Sequence, residues 1–503
     1  MAKETNRFIK YTDEKTFKRI VSFNSVAEMW KNSVKNYANE IALCTIDQKL
    51  TYANLDDEVA YFRTVLVENG IKKGDNVGIY MPNSIDFVKA YLAITTLGAV
   101  AVLLPPQLDN MTIFGCSMKF NLTAIIYHQT LGNNTDIVSL KNPKTKLILS
   151  TETRTNKTSA VQIDGKDLST IIFTGGTTGK SKGSVLSNKA VMLGVRNSCY
   201  GTKEVFNQKY LLVLPLTHVF GLIRNMLASL YTGSQMFICG NNKDMFRDIA
   251  VFKPTIMILV PALAEMALQL SKNFNKNMLG ESMKTIICGA ANVPPYLVHE
   301  YHKMGISLLP GYGLTESANL VSGNPNALEK SSSVGFVYPD IETKVVDGEL
   351  WLKGPNMQEA YYQDDEENKN SYEDGWFKTG DLVRFDEDGY LYIVGRKKEI
   401  IVLPSGENIS PAELEAEFLA IEEIQDCLVF LGKNNTLELE VYLRNSAIKE
   451  NKIENPQEYV KQQVFKINDK LLSHQKITNV KFRDVDFVRS PSMKIIRSKN
   501  GNV

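Results

Sequence analysis

An excess of charge of either sign is missing from this chain. Its 503 residues carry 57 basic against 56 acidic side chains, a net charge of +1. That balance gives no electrostatic case for nucleic acid or an anionic membrane surface as a partner. Cysteine is sparse and unpatterned: the six lie at 44, 116, 199, 239, 288 and 427 with no CxxC pair, and the five histidines are equally dispersed. Such scatter argues against a metal cluster or a disulfide framework and for reduced, buried thiols in a cytoplasmic protein. Long apolar runs are lacking too. The longest, AYLAITTLGAVAVLL over 90–104, falls short of the ~18 residues a spanning helix needs. It reads as a buried helix turning at Gly98 into a buried strand, so no transmembrane segment is expected. The opening stretch, MAKETNRFIKYTDEK, holds no apolar region of a signal peptide. Internal repeats and low-complexity segments are not evident, and nothing sets an oligomeric state.

What is present is the composition of an ordinary globular protein, 44% apolar and 22% charged. The length exceeds one hydrophobic core, so two or more domains are expected. Short β-branched runs at 76–80, 100–104, 123–127 and 146–150 alternate with helix-like stretches such as 25–38 and 84–97. The alternation continues through 210–214, 235–239, 255–260, 284–288 and 306–309. It predicts an α/β fold with mixed, mostly parallel sheets. From about 334 to 394 the texture changes to short strands punctuated by Asp-Gly at 347–348, 374–375 and 388–389, which predicts hairpins in an antiparallel β region. Beyond Gly395 the pattern is strand–turn–strand, a helix from Pro411, two strands, and a helix over 456–472. We read a large N-terminal domain, 1–395, and a small, mobile α+β C-terminal domain, 396–503, of about 110 residues.

Residues 174–183, TGGTTGKSKG, stand out. Glycines let backbone N–H groups converge on one anion, threonine hydroxyls add donors, and Lys180 and Lys182 add positive charge. The strand before the stretch and a helix beginning near Ser187 or Asn188 suggest strand, glycine loop, helix, the setting of a phosphate loop. The P-loop NTPase pattern fails, because Thr174 stands where it requires glycine. On its own the decapeptide is equally a mobile surface loop or a hinge.

Other motifs follow in order. Thr174–Gly183 resembles the nucleotide loop of the adenylate-forming superfamily, which comprises acyl-CoA synthetases, peptide-synthetase adenylation domains and firefly luciferase. Gly176 and Ser181 depart from its commonest form, and the T-G-G start is closest in style to fatty-acyl-CoA synthetases. Pro215-Leu216-Thr217-His218-Val219-Phe220-Gly221 is similar to P-L-x-H-x-x-G, and Pro254 and Pro261 flank a strand as in that family. Gly289-Ala290-Ala291 resembles the G-G-A turn. Gly311-Tyr312-Gly313-Leu314-Thr315-Glu316 matches G-Y-G-x-T-E, and Ser333-Val334-Gly335 resembles the G-S-V-G turn. Gly375-Trp376-Phe377 with Thr379-Gly380-Asp381 matches G-W-x-x-T-G-D. The run from Gly395 and Arg396 through Gly406 to Glu415 resembles the interdomain motif, and Pro491 to Arg497 resembles P-x-x-G-K-x-x-R. The resemblance spans essentially the whole chain.

It implies ATP-dependent activation of a carboxylic acid as acyl-AMP, with release of pyrophosphate, then transfer to a thiol. Two anions must be aligned, so the site has to supply positive charge and positioning. By resemblance, Thr174, Gly175, Gly176, Thr177, Thr178, Gly179 and Lys182 hold the phosphates, and Glu316 with Thr178 holds Mg²⁺ through hard oxygen ligands. Gly289, Ala290, Tyr312, Gly313 and Thr315 receive the adenine side. Asp381 and Arg396 take the ribose. Lys494 carries the adenylation step as a point charge between carboxylate and α-phosphate. Lys398 is the hinge, Gly406 approaches the pantetheine arm, and His218 is either a core residue or a gate. Met493 departs from the usual glycine before the lysine.

The segment 217–225, THVFGLIRN, lacks the acid that amino-acid-activating relatives carry there. With the apolar, small residues of 219–224, 288–293 and 311–315, this favours a fatty or aryl acid. Coenzyme A and the phosphopantetheine of an acyl or peptidyl carrier protein are both compatible acceptors. The alternatives are a stand-alone adenylation enzyme that loads a carrier protein, and a non-catalytic relative that binds nucleotide or acyl ligand.

Overall fold

A computed structural model describes residues 7–174, 182–432, 434–489, 495–497 and 500. Among the described residues three large sheets form. A seven-stranded sheet runs Ala360–Tyr361, Lys182–Ser187, Leu168–Thr174, Val100–Leu104, Asn76–Tyr80, Leu122–Tyr127 and Lys146–Leu149. A nine-stranded sheet has a parallel centre: Ser307–Tyr312, Thr285–Cys288, Ile256–Leu259, Lys209–Leu212, Gln235–Ile238 and Ile41–Cys44. The helices Val26–Tyr37, Tyr52–Glu68, Ile85–Leu97 and Asn188–Asn197 pack with both sheets into one continuous apolar core. Strands buried on both faces read as unbroken apolar runs, which is why VAVLL and IMIL are legible as central strands.

The long apolar run resolves as expected. Helix Ile85–Leu97 starts on a Ser84 side-chain cap and stops at Gly98, whose φ of 79° is left-handed, and strand Val100–Leu104 follows. The antiparallel region is a five-stranded sheet built on Trp376–Phe385. Asp347-Gly348 and Asp374-Gly375 have positive φ at both positions and make two-residue hairpin turns, whereas at 388–389 only Gly389 does. The six cysteines are unpaired thiols, and all but Cys116 are buried. No helix among the described residues is long and apolar enough to cross a membrane.

The helix expected near Ser187 or Asn188 is there, but the strand Lys182–Ser187, antiparallel to Leu168–Thr174 with Thr174 opposite Lys182, stands between it and the glycine loop. Helix Asn188–Asn197 starts only beyond it, capped by Ser187. KGSVLS completes this pairing first, so helix Asn188–Asn197 does not begin directly at Lys182.

Residues beyond 400 have their own apolar cluster, from Leu403 to Val480, around strands Ile424–Leu431, Leu437–Leu443 and Asn479–Arg483. This small unit meets the large one through a polar contact. Arg444 lies 3.3 Å from Glu265 and donates to the Tyr296 hydroxyl at 3.1 Å, and Ser446 donates to Gln269. Inside the small unit, Glu415 is paired with Arg497 and accepts from the Val429 N–H. Burial outweighs the guanidinium and pushes the Glu415 carboxyl up to about 7.

A raised carboxyl pKa means that the folded state holds the proton more tightly than the unfolded chain. Stability from this group is therefore complete below about pH 4.5 and is lost as pH rises through 7. Stability of the small unit is expected to fall over that range by on the order of 2–3 kcal/mol. In denaturant unfolding followed against pH, Glu415→Gln should flatten this slope; an unchanged slope contradicts the assignment.

Candidate active site

Both large sheets deliver loops to one cavity of about 1280 Å³ at the carboxyl ends of their parallel strands, the usual ligand position in open α/β sheets. Thr174 and Lys182, the two ends of the glycine loop, lie on its wall with His218, Gly289, Ala290, Tyr312, Gly313, Thr315, Glu316, Arg396 and Lys398. Gly175, Gly176, Thr177, Thr178, Gly179 and Lys494 lie outside the described residues. Arg489, five positions before Lys494, lines the cavity and is tied to Asp426 at 2.5 Å. Gly406, with φ of 96° in the turn between Ile401–Val402 and Asn408–Ile409, is not on the wall.

Asp381 is not on the wall either, being 2% exposed, but its partners are. The Tyr312 hydroxyl donates to one carboxylate oxygen at 2.5 Å, and Arg396 Nε meets the other at 2.6 Å. Burial, followed by the adjacent carboxylate, pushes the Tyr312 phenol well above its ordinary pKa, so it stays a neutral donor. Next to this pair, the buried Glu349 accepts from the Gly380 N–H and ion-pairs with Lys397 at 2.9 Å. That contact holds the left-handed turn at Gly380.

A second polar group sits beside the glycine loop. Tyr361 donates to Glu316 at 2.7 Å, and Lys182 pairs with Glu367 at 2.5 Å while lying over the Tyr361 ring. The edge strand Ala360–Tyr361 pairs with Lys182–Ser187, which is how a residue distant in sequence reaches Glu316. Burial and Glu316 push the Tyr361 phenol far up, so it too remains a donor. Among the described residues no cluster of three or more His, Cys, Asp or Glu could hold a metal by itself. Glu316 as a single hard ligand suits a cation that takes its other ligands from phosphates.

Two motif glycines have steric reasons. A Cβ on Gly221 would stand 2.3 Å from the Pro215 carbonyl oxygen, closing the bend that precedes the π-helical turn Phe220–Leu227. A Cβ on Gly313 would stand 1.3 Å from the Asn319 carbonyl oxygen. Ala290, by contrast, replaces a motif glycine while keeping a φ of 67°, a conformation that costs an alanine ~1 kcal/mol. His218 Nδ1 accepts from the Phe220 N–H at 3.3 Å, which leaves Nε2 as the protonated nitrogen in the neutral ring.

Sequence reasoning passes over Tyr361, Glu367, Glu349 and Arg224, all of which line the cavity. The first three act through partners far away in the chain, which no local pattern reveals. Arg224 stands in plain view within THVFGLIRN, read there as an apolar wall.

Such a cavity, bounded by glycine turns, a buried carboxylate and a lysine-ended loop between a large and a small unit, defines a nucleotide-binding enzyme of the α/β class. The chain belongs to the AMP-binding enzyme family, whose model matches residues 30–362. It is 30% identical over 412 residues to the 4-coumarate–CoA ligase-like 6 protein of Arabidopsis thaliana, covering 73% of this chain and 71% of that one. It is 28% identical over 465 residues to a long-chain-fatty-acid–CoA ligase of Salmonella typhimurium, covering 80% and 82%. Its fold matches that of the anthranilate CoA ligase AuaEII in complex with anthranoyl-AMP, with TM-score 0.85 at 20% identity over 95% of this chain and 96% of the other. The enzyme is thus an acid–thiol ligase of the AMP-forming acyl-CoA synthetase type, with the large N-terminal and small C-terminal units of the adenylate-forming fold.

Gly313→Ala forces the 313–319 turn to open, because the clash is with backbone. AMP affinity measured by calorimetry is expected to fall about 10-fold or more, as overpacking of a well-fitted turn costs 1–3 kcal/mol. Unchanged affinity in a folded variant contradicts this placement of the nucleotide turn.

Proposed function

We propose that the protein activates a non-amino carboxylic acid, of fatty or aryl type, with ATP, and passes the acyl group to the thiol of coenzyme A. One observation carries the reading. The two ends of the glycine loop and Arg489, at the approach to Lys494, line a single cavity although they lie far apart in sequence. In this reading the acid's carboxylate attacks the α-phosphorus, pyrophosphate leaves, and the thiol then displaces AMP from the acyl-adenylate.

The residues take the following roles. Thr174, Thr177, Thr178 and Lys182, with the backbone of Gly175, Gly176 and Gly179, hold the phosphates. Lys182 exchanges Glu367 for phosphate oxygens when nucleotide enters. Glu316, oriented by Tyr361, holds Mg²⁺ with Thr178, and that ion supplies charge neutralisation at the phosphates. Gly289, Ala290, Tyr312, Gly313 and Thr315 receive the adenine. Asp381 and Arg396 bind the ribose, Arg396 from the cavity wall. Lys494 steadies the charge passing between carboxylate and α-phosphate. Its companion Arg497 is anchored on Glu415 and, at 3.2 Å, on Glu399. We place the domain boundary at 395/396 and the hinge at Lys398. The small polar contact through Arg444 supports a C-terminal unit that can swing to bring Gly406 to the site for thioester formation. His218 borders the acyl side of the cavity.

A phosphopantetheine arm on a carrier protein presents the same thiol and is the second acceptor to test. A non-catalytic binder has no use for Lys494. In a labelled-pyrophosphate exchange assay across a panel of acids, Lys494→Ala is expected to abolish exchange into ATP. It should affect thioester formation from supplied acyl-AMP much less. Full exchange in the variant removes Lys494 from the reaction.

A further inference from the structure

Among the described residues, four cationic side chains of the large unit or its interface are buried, and three of them have partners. Arg63 donates to Thr96 and to the Thr158 carbonyl, Lys89 pairs with Asp86, and Arg444 with Glu265. Arg224 differs. It is 3% exposed, it lines the cavity, and its Nη1 has no hydrogen-bond partner. Among the described residues it forms no ion pair. The groups around it are Tyr210, Cys199 and Tyr338, each of which burial pushes up to about 12, so none is anionic at neutral pH. Nδ2 of Asn319, on the same cavity wall, is likewise without a partner.

A guanidinium does not shed its proton in a protein, and an uncompensated buried charge is costly. The positive charge at Arg224 is therefore a standing demand for an anion on the cavity wall. The polyphosphate is not its answer, since Thr174, Lys182 and Glu316 already border that part of the cavity. Arg224 instead extends from the π-helical turn that begins two residues after His218.

We propose that Arg224 is the distal anchor of the acid pocket, and that the preferred substrate is a carboxylic acid bearing a second anionic group, a second carboxylate being the simplest. One carboxylate faces the nucleotide and is activated, and the other meets the Arg224 guanidinium on the cavity wall. The inference rests on the adenylating reading above and narrows its substrate class. It also corrects the view of 219–224 as an apolar wall: plain alkanoates leave the guanidinium unanswered, and dicarboxylates do not.

The test is pyrophosphate exchange with matched pairs of acids: straight-chain monocarboxylates against α,ω-dicarboxylates of equal length, and benzoic acid against its carboxy-substituted forms. For the best pair, kcat/KM of the wild-type enzyme should favour the diacid by about 10- to 100-fold, the range of one charge-assisted hydrogen-bonded pair. Arg224→Met should collapse that ratio, chiefly through KM for the diacid, and Arg224→Lys should restore part of it. A merely structural arginine would lower both members of a pair equally. Equal losses, or a wild-type preference for monoacids throughout, overturn the proposal. Exchange confined to monoacids leaves the adenylating reading intact and removes only this role of Arg224. Exchange with no acid of either class overturns both. The wild-type ratio needs no variant, so poor folding of a substituted protein does not protect the idea.

Discussion

A single buried carboxylate joins the parts of this enzyme. Asp381 sits on a strand of the antiparallel sheet, Tyr312 at the end of a strand of the nine-stranded sheet, and Arg396 where the chain passes into the small unit. With both oxygens engaged and almost no exposure, the charge of Asp381 is held in large part by those two donors. Removing either leaves a buried anion partly uncompensated, which costs far more than a surface ion pair gives. The Tyr312 wall of the cavity and the chain at Arg396 are therefore fixed by the same contact. Arg396 is the more exposed of the two donors, and it is the one that can turn toward a ligand without unpacking the core.

The Lys182 end of the cavity depends on a different device: a strand, not a helix N-terminus, starts at this lysine, and Glu367 neutralises it. Phosphate entry is in this account an exchange of counter-ions at Lys182. Tyr361, held by its pairing with the strand after the loop, keeps Glu316 oriented through that exchange. In the proposed reading, the residues for cation and phosphate thus share one edge of one sheet.

Much of this was legible in the chain. Strands buried on both faces announced themselves as VAVLL or IMIL, helix ends as Ser84 and Gly98, and two hairpins as Asp-Gly. The order of glycine turns pointed to the family. The helix expected near Ser187 or Asn188 is there, but the strand between it and the glycine loop went unread, because glycine content does not show that KGSVLS completes a strand pairing before the Ser187 cap begins the helix. Tyr361, Glu349 and Glu367 were invisible because their meaning lies in partners brought close only by sheet pairing. Arg224 was visible but misread: a lone cation among Leu222, Ile223 and Met226 declares itself only once burial and the missing partner are seen. Ala290, kept in a left-handed conformation where the motif has glycine, has no compensation that we can identify.

The central claim is that the Asp381 carboxylate organises the nucleotide end of the cavity, and AMP titration calorimetry on Asp381→Asn tests it most directly. The amide keeps the shape and removes the charge, so the account predicts a loss of affinity of about 10-fold or more, in line with the loss of charge-assisted hydrogen bonds. AMP bound by a folded Asp381→Asn protein with wild-type affinity would contradict it.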